Sequence, residues 1–218
     1  MAMKPIYAMV TTDEWYERFR VHHSETLTQN WWNFEVMSRD DFEDAEHVLE
    51  TYNDGYTSGL SDLAPDICKA DTSVWAFAEA AWNWLPALAA GGCRVADKVR
   101  VQKGKKQFKL VYAAPILDLL DHDRCDFSWN DGTISWVRDI NLYVWNGEPP
   151  PMFKVLLHNK EMYRGVRVRP YQGTTFVSQA FKDESESRRL SGVEFIEMPR
   201  TTRPPECPEP DQVIVYRP

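Results

Sequence analysis

The sequence predicts an α+β protein in which a helical, acidic N-terminal half packs with a mostly antiparallel β C-terminal half. Three observations carry that reading. Apolar residues recur at three- and four-residue spacing over 38–52 and again over 71–85, the period of a helix with one buried face. Past Gly91-Gly92 the chain changes to β-branched and aromatic runs broken by KGKK, NDG and NGEPPP, the composition of strands joined by turns. Charge is also divided: residues 1–75 hold 5 Lys and Arg against 15 Asp and Glu, a net of −10, while the remainder nets +2.

Each element has its own signal. TTDEWYERF (11–19) opens on Thr12 or Asp13, either of which can cap a first helix. SRDDFEDAEHVLETY (38–52) predicts a stronger one: Ser38 caps it, and acids crowd the first turn, where the helix dipole favours them. Phe42, Ala45, Val48, Leu49 and Tyr52 share its apolar face. The other face is a row of carboxylates, Asp40, Asp41, Glu43, Asp44, Glu46 and Glu50, with Arg39 alone to answer them. NDGYTSGLSDLAPD (53–66) is turn chemistry throughout and ends that element.

DTSVWAFAEAAWNWL (71–85) predicts a second helix, capped by Asp71 or Thr72, with Val74, Trp75, Ala78, Ala81, Trp82 and Leu85 buried. AWNWLPALAAGG (81–92) is the most apolar stretch, but Pro86 and the two glycines break it well short of a membrane span, so it reads as the end of a core helix. VADKVRVQ, FKLVYAAPIL, TISWVRDINLYVW, MFKVLL and RGVRVRP then read as strands. The organisation expected is a helix-rich acidic region over 1–92, a β-rich region over 93–198 and a Pro-rich tail over 199–218. Five prolines between 199 and 212 keep that tail out of a sheet interior, and VIVY (213–216) is able to dock as an edge strand or against another chain.

Near the C-terminus, FVSQAFKDESESRRLSGVEFIEM (176–198) forms a punctuated unit. Phe176-Val177 ends a strand, Ser178 caps a helix, and Ala180, Phe181, Ser187 and Leu190 form the helix's inner side. Gly192 is placed to stop the helix as a left-handed C′ residue. Val193, Phe195 and Met198 then point inward from a short strand.

With 43% hydrophobic and 13% aromatic residues in 218, the chain can build a real core. Four cysteines stand 25, 32 and 82 residues apart, without the close pairs of a zinc or redox motif, as expected of thiols in a reducing compartment. The N-terminus lacks a signal-peptide pattern and no long apolar run occurs, so a cytoplasmic protein without membrane contact is expected. The acidic first third disfavours nucleic acid and favours a basic partner.

The order of short motifs in the second half resembles immunity protein eleven, a family of bacterial polymorphic-toxin immunity proteins. The matching positions are Val177-Ser178, Phe181-Lys182-Asp183, Leu190, Gly192 and Phe195, together with Asp118, Leu120 and Asp121 and the later Met152-Phe153. They span about residues 107–198. Relatives with this ending carry cysteine pairs that the chain lacks, and no zinc site is carried over. The resemblance implies a non-enzymatic, cofactor-free cytosolic protein that binds a cognate effector toxin, such as a basic nuclease-like domain, and occludes its active site.

The candidate partner-binding residues are Asp40, Asp41, Glu43, Asp44, Glu46 and Glu50, with Trp31 and Trp32 just before them as aromatic anchors and Tyr56 in the loop that follows. Two other readings compete. DLLDHDRCD places Asp118, Asp121, His122, Asp123 and Asp126 within nine residues, oxygen and nitrogen donors that a metal-dependent hydrolase would use; the same aspartates also suit turns and caps. An adaptor working through the Pro-rich tail is the other. His22 and His23, adjacent on a helix, would point about 100 degrees apart and would not converge on a metal.

Overall fold

The computed structural model describes residues 4–12, 19–22, 42–51, 64–71, 74–101, 105–130, 133–145, 147–163, 166–171, 173–203 and 214–215. In chain order its strands are β1 (Ile6–Thr11), β2 (Phe19–His22), β3 (His47–Thr51), β4 (Ile67–Asp71), β5 (Val74–Ala78), β6 (Arg94–Ala96), β7 (Val99–Val101), β8 (Phe108–Tyr112) and β9 (Pro115–Leu117). There follow β10 (Phe127–Asn130), β11 (Thr133–Val137), β12 (Leu142–Tyr143), β13 (Met152–Tyr163), β14 (Val166–Pro170), β15 (Thr175–Ser178), β16 (Val193–Glu197), β17 (Arg200–Thr201) and β18 (Ile214–Val215). Two short α-helices, α1 (Leu85–Ala90) and α2 (Gln179–Ser187), and a 3-10 segment at Glu79–Trp84 complete the named elements.

The protein is thus mostly β-sheet, and the expected helical N-terminal half is overturned. Of the helix predicted over 38–52, the described residues 42–51 form a helical turn at 42–43 followed by β3, which pairs antiparallel with β2 and parallel with β7. The helix predicted over 71–85 is β5 followed by the 3-10 segment. Of the first predicted helix, Thr11 ends β1 and Phe19 starts β2, and residues 13–18 lie outside the described set.

The physical reason is clearest in β5. VWAFA is buried at all five positions, so it shows no apolar–polar alternation, and its alanines imitate a helix. Val74, Ala76 and Ala78 enter one core cluster while Trp75 and Phe77 enter another, the period-two division of a strand covered on both faces.

A four-stranded sheet, β4-β5-β8-β6, forms the middle layer. On one face Phe42 and Leu49 pack with Leu110 and Tyr112 of β8. On the other face Trp75, Phe77 and Val111 meet Tyr7, Met9, Met152 and Val177 of a seven-stranded sheet. That sheet runs β16-β1-β15-β13-β9-β18, and β14 pairs with the C-terminal part of β13 off this path. Its far side carries a third cluster, including Ile6, Ala8, Leu117, Phe153 and Phe176. β1, from the start of the chain, sits between β15 and β16 in antiparallel register, with Tyr7 opposite both Val177 and Glu197.

The tail docks back as an edge: β18 pairs antiparallel with β9, Ile214 opposite Ile116. Among the described residues no helix is long and apolar enough to cross a membrane. Cys68 and Cys93 are buried thiols and Cys125 is half-buried. Burial pushes Cys93 up to about 12 and Cys125 up to about 11, which removes the thiolate needed for reactivity near neutral pH. Cys207 lies outside the described residues.

Candidate partner-binding surfaces

Phe42 anchors the acidic segment. Its ring is fully buried against Tyr112 and His47, with centroids 5.8 and 5.1 Å apart. His47 is buried too, and its Nε2 lies 2.7 Å from the Phe42 carbonyl oxygen, closing the turn. Glu43 is left half-buried, with Asp44 and Glu46 exposed. Of the other expected site residues, Glu50 is placed by its backbone in β3, while Asp40, Asp41, Trp31, Trp32 and Tyr56 lie outside the described residues.

Among the described residues the segment does not form one acidic helix face, because His47 and Leu49 alternate inward along β3 instead. Nor is Arg39 the only base at hand. Lys98 Nζ donates to the Asp44 carbonyl at 3.0 Å, and Arg100 Nε stands 3.9 Å from Glu46 Oε1. Both ends of that ion pair are well exposed, so it contributes little stability. A shallow groove of about 350 Å³ here is lined by Glu46, Asp97, Lys98, Val99 and Arg100. Its local charge is therefore mixed.

The 118–126 cluster is a structural turn. Asp121 is 4% exposed; its Oδ1 accepts from the Asp123 N–H at 3.3 Å and its Oδ2 from Thr201 Oγ1 at 2.5 Å. The Asp121 carbonyl also accepts from the Arg124 and Cys125 N–H groups. The carboxylate is thus committed to holding the turn and tying it to β17. The Asp118 carbonyl accepts from Arg203, and His122 stacks on Phe127 with centroids 5.4 Å apart. Among the described residues no three His, Cys, Asp or Glu side chains are grouped to hold a metal ion.

The C-terminal unit folds as strand, helix and strand. Ser178 Oγ accepts from the Phe181 N–H at 3.2 Å, the cap expected of it. Phe181 sits between Trp84 and Phe195 in edge-on contacts, centroids 4.9 and 6.2 Å apart. Three details differ from expectation. Ala180, expected on the inner side, is exposed. Ser187 is exposed and Ser185 is buried, and the left-handed residue just past α2 is Arg189 (φ 56°), not Gly192.

Gly192 (φ 96°) serves a close approach instead. A Cβ there would lie 2.2 Å from the Ile67 carbonyl oxygen and 2.3 Å from Pro65 Cβ. The same loop is clasped from the other side: Asp66 Oδ2 accepts from Ser191 Oγ at 2.8 Å and from Ser191 N–H at 3.1 Å.

Beside this unit lies a groove of about 340 Å³, lined by Ser185, Glu186, Leu190, Val193, Glu194 and Phe195. On the opposite face of β16 Ile196 is 54% exposed, the large hydrophobic side chain left outside among the described residues. The sequence reading missed this surface, although the inward direction of Val193 and Phe195 implies that Ile196 faces out.

No family model and no curated protein matches the chain. Ser178, Phe181, Leu190, Gly192 and Phe195 take structural places in this unit.

Proposed function

We propose that the chain is an immunity protein: it binds a cognate bacterial effector toxin in the cytosol and neutralises it by occluding the toxin's active site, without making or breaking covalent bonds itself. The ordered run of motif residues from Asp118 to Phe195 is the observation that carries this reading. Its members cap, turn and fill a scaffold, as expected of a family whose product is a binding surface. The net charge of −10 over residues 1–75 supports a basic partner. Opposite potentials steer association and exclude the wrong partner, and the exposure of Asp44 and Glu46 supports this reading.

Co-expression tests the reading. The toxin domain encoded beside this gene should arrest growth of a susceptible host alone and fail to do so when the chain is present. Equal arrest with and without the chain, both proteins being detected in the cells, would refute it.

A further inference from the structure

We propose that β16 accepts an extended, cationic segment of a partner protein as an added strand, with a basic side chain of that segment entering the groove between α2 and β16. β16 is the terminal strand of the seven-stranded sheet, bonded on one side to β1. Met198 N–H donates to Ile6 O and Thr12 N–H donates to Gly192 O, so even-numbered residues turn their backbone groups toward β1. By the alternation of an antiparallel ladder, Val193, Phe195 and Glu197 direct theirs outward. Among the described residues no strand pairs with that outer edge.

The side chains along this edge define the occupant. Glu194 and Glu197 are exposed acids, and acids on an edge strand ordinarily prevent chance pairing. They do so against neutral and acidic strands, and against a second copy, whose own acids would meet them along the seam. A cationic strand is the class that they admit.

The groove repeats this selection. Among the described residues its charged lining is Glu186 and Glu194. One Glu186 oxygen is engaged by Lys182 at 2.7 Å, while Glu194 forms no ion pair among the described residues. The Ser185 hydroxyl is buried within the same lining, with no hydrogen-bond partner among the described residues. An ammonium or guanidinium at the groove meets the carboxylates that border it. Leu190, Val193 and Phe195 contact the aliphatic stem of that side chain, and Ile196 offers an apolar contact on the opposite face. Main-chain bonds and alternating side-chain contacts are the two components of recognition by strand addition. Any partner with such a segment qualifies, whether or not the acidic N-terminal region engages a toxin.

The probe is a display library of random short peptides, selected on the purified full chain. Enriched peptides should alternate Lys or Arg with apolar residues and should slow amide exchange at Val193, Phe195 and Glu197. Their affinity should fall by about tenfold with Glu194→Gln and again with Glu197→Pro, a change tolerated at an edge position whose N–H faces away from the sheet. Glu197→Gln separates loss of charge from loss of the donor. If the proline variant does not fold, Glu194→Gln and the amide exchange decide. The proposal is overturned by failure to enrich any peptide, by acidic or charge-indifferent winners, or by protection elsewhere. A dimer dispersed by Glu197→Gln or Glu197→Pro would assign the edge to a second copy and also overturn it.

Discussion

Trp75 Nε1 donates to Thr175 Oγ1 at 2.9 Å between side chains 100 residues apart in sequence. Both residues are buried, at 1% and 2% exposure, and the bond ties β5 of the middle sheet to β15 of the larger one. Thr175→Val keeps the shape and removes the acceptor, leaving a buried indole N–H unsatisfied. We predict a loss of about 1–3 kcal/mol, read from the urea midpoint, with Thr175→Ser recovering much of it.

At Gly192, backbone angle and space act together. Gly192→Ala imposes a strained left-handed alanine and drives its Cβ into the Ile67 carbonyl. A cost of about 3 kcal/mol or more is expected, read by chemical denaturation. Arg189→Gly is the contrasting change. Arg189 already occupies the left-handed region (φ 56°) and is exposed, so glycine there should leave stability unchanged or higher.

Lys154 is 1% exposed near the start of β13, with Nζ 3.8 Å from the centre of the Tyr112 ring. Contact with the ring favours the charged form by about 2 kcal/mol when desolvated, whereas burying an ammonium costs several kcal/mol. Desolvation wins and holds the amine well below the usual lysine range. Between its folded pKa and its unfolded value near 10.4 the unfolded chain binds the extra proton, so stability rises with pH across that window. Lys154→Met should therefore be more stable than the parent at pH 7, with the advantage shrinking as pH approaches 10.4. Parallel stability–pH profiles for the two proteins would refute this account of the lysine.

For the acidic region, replacing Asp40, Asp41, Asp44 and Glu46 together with Lys should slow association with the toxin by about tenfold or more at low ionic strength. The difference should narrow at high salt, as the screening length contracts. Stopped-flow association rates at two salt concentrations measure both effects. Identical rates at both would remove the acidic region from the interface.

The strands of the second half were legible because runs such as MFKVLL and RGVRVRP are β-branched or aromatic and bounded by turns. Ser178 was legible as a cap because its chemistry is local. Val74–Ala78 was not, since a strand covered on both sides presents the unbroken apolar run of a core helix. The segment around Phe42 misled differently. Its acids and apolar spacing satisfy a helix locally, while pairing of β3 with β2 and β7 satisfies the backbone through strands distant in sequence, and tertiary pairing overrides a weak local preference. The outer edge of β16 was half legible: alternation gives the direction of Ile196, but the position of β16 at the end of a sheet depends on β1, almost the whole chain away.

The central claim is neutralisation by stoichiometric binding. Titration of the purified chain into the purified toxin domain, with toxin turnover as the readout, tests it most directly. The account predicts a linear fall in activity that ends at a fixed molar ratio, with both proteins co-eluting at that point. Undiminished turnover at a large excess of the chain, with the two proteins eluting separately, would contradict it.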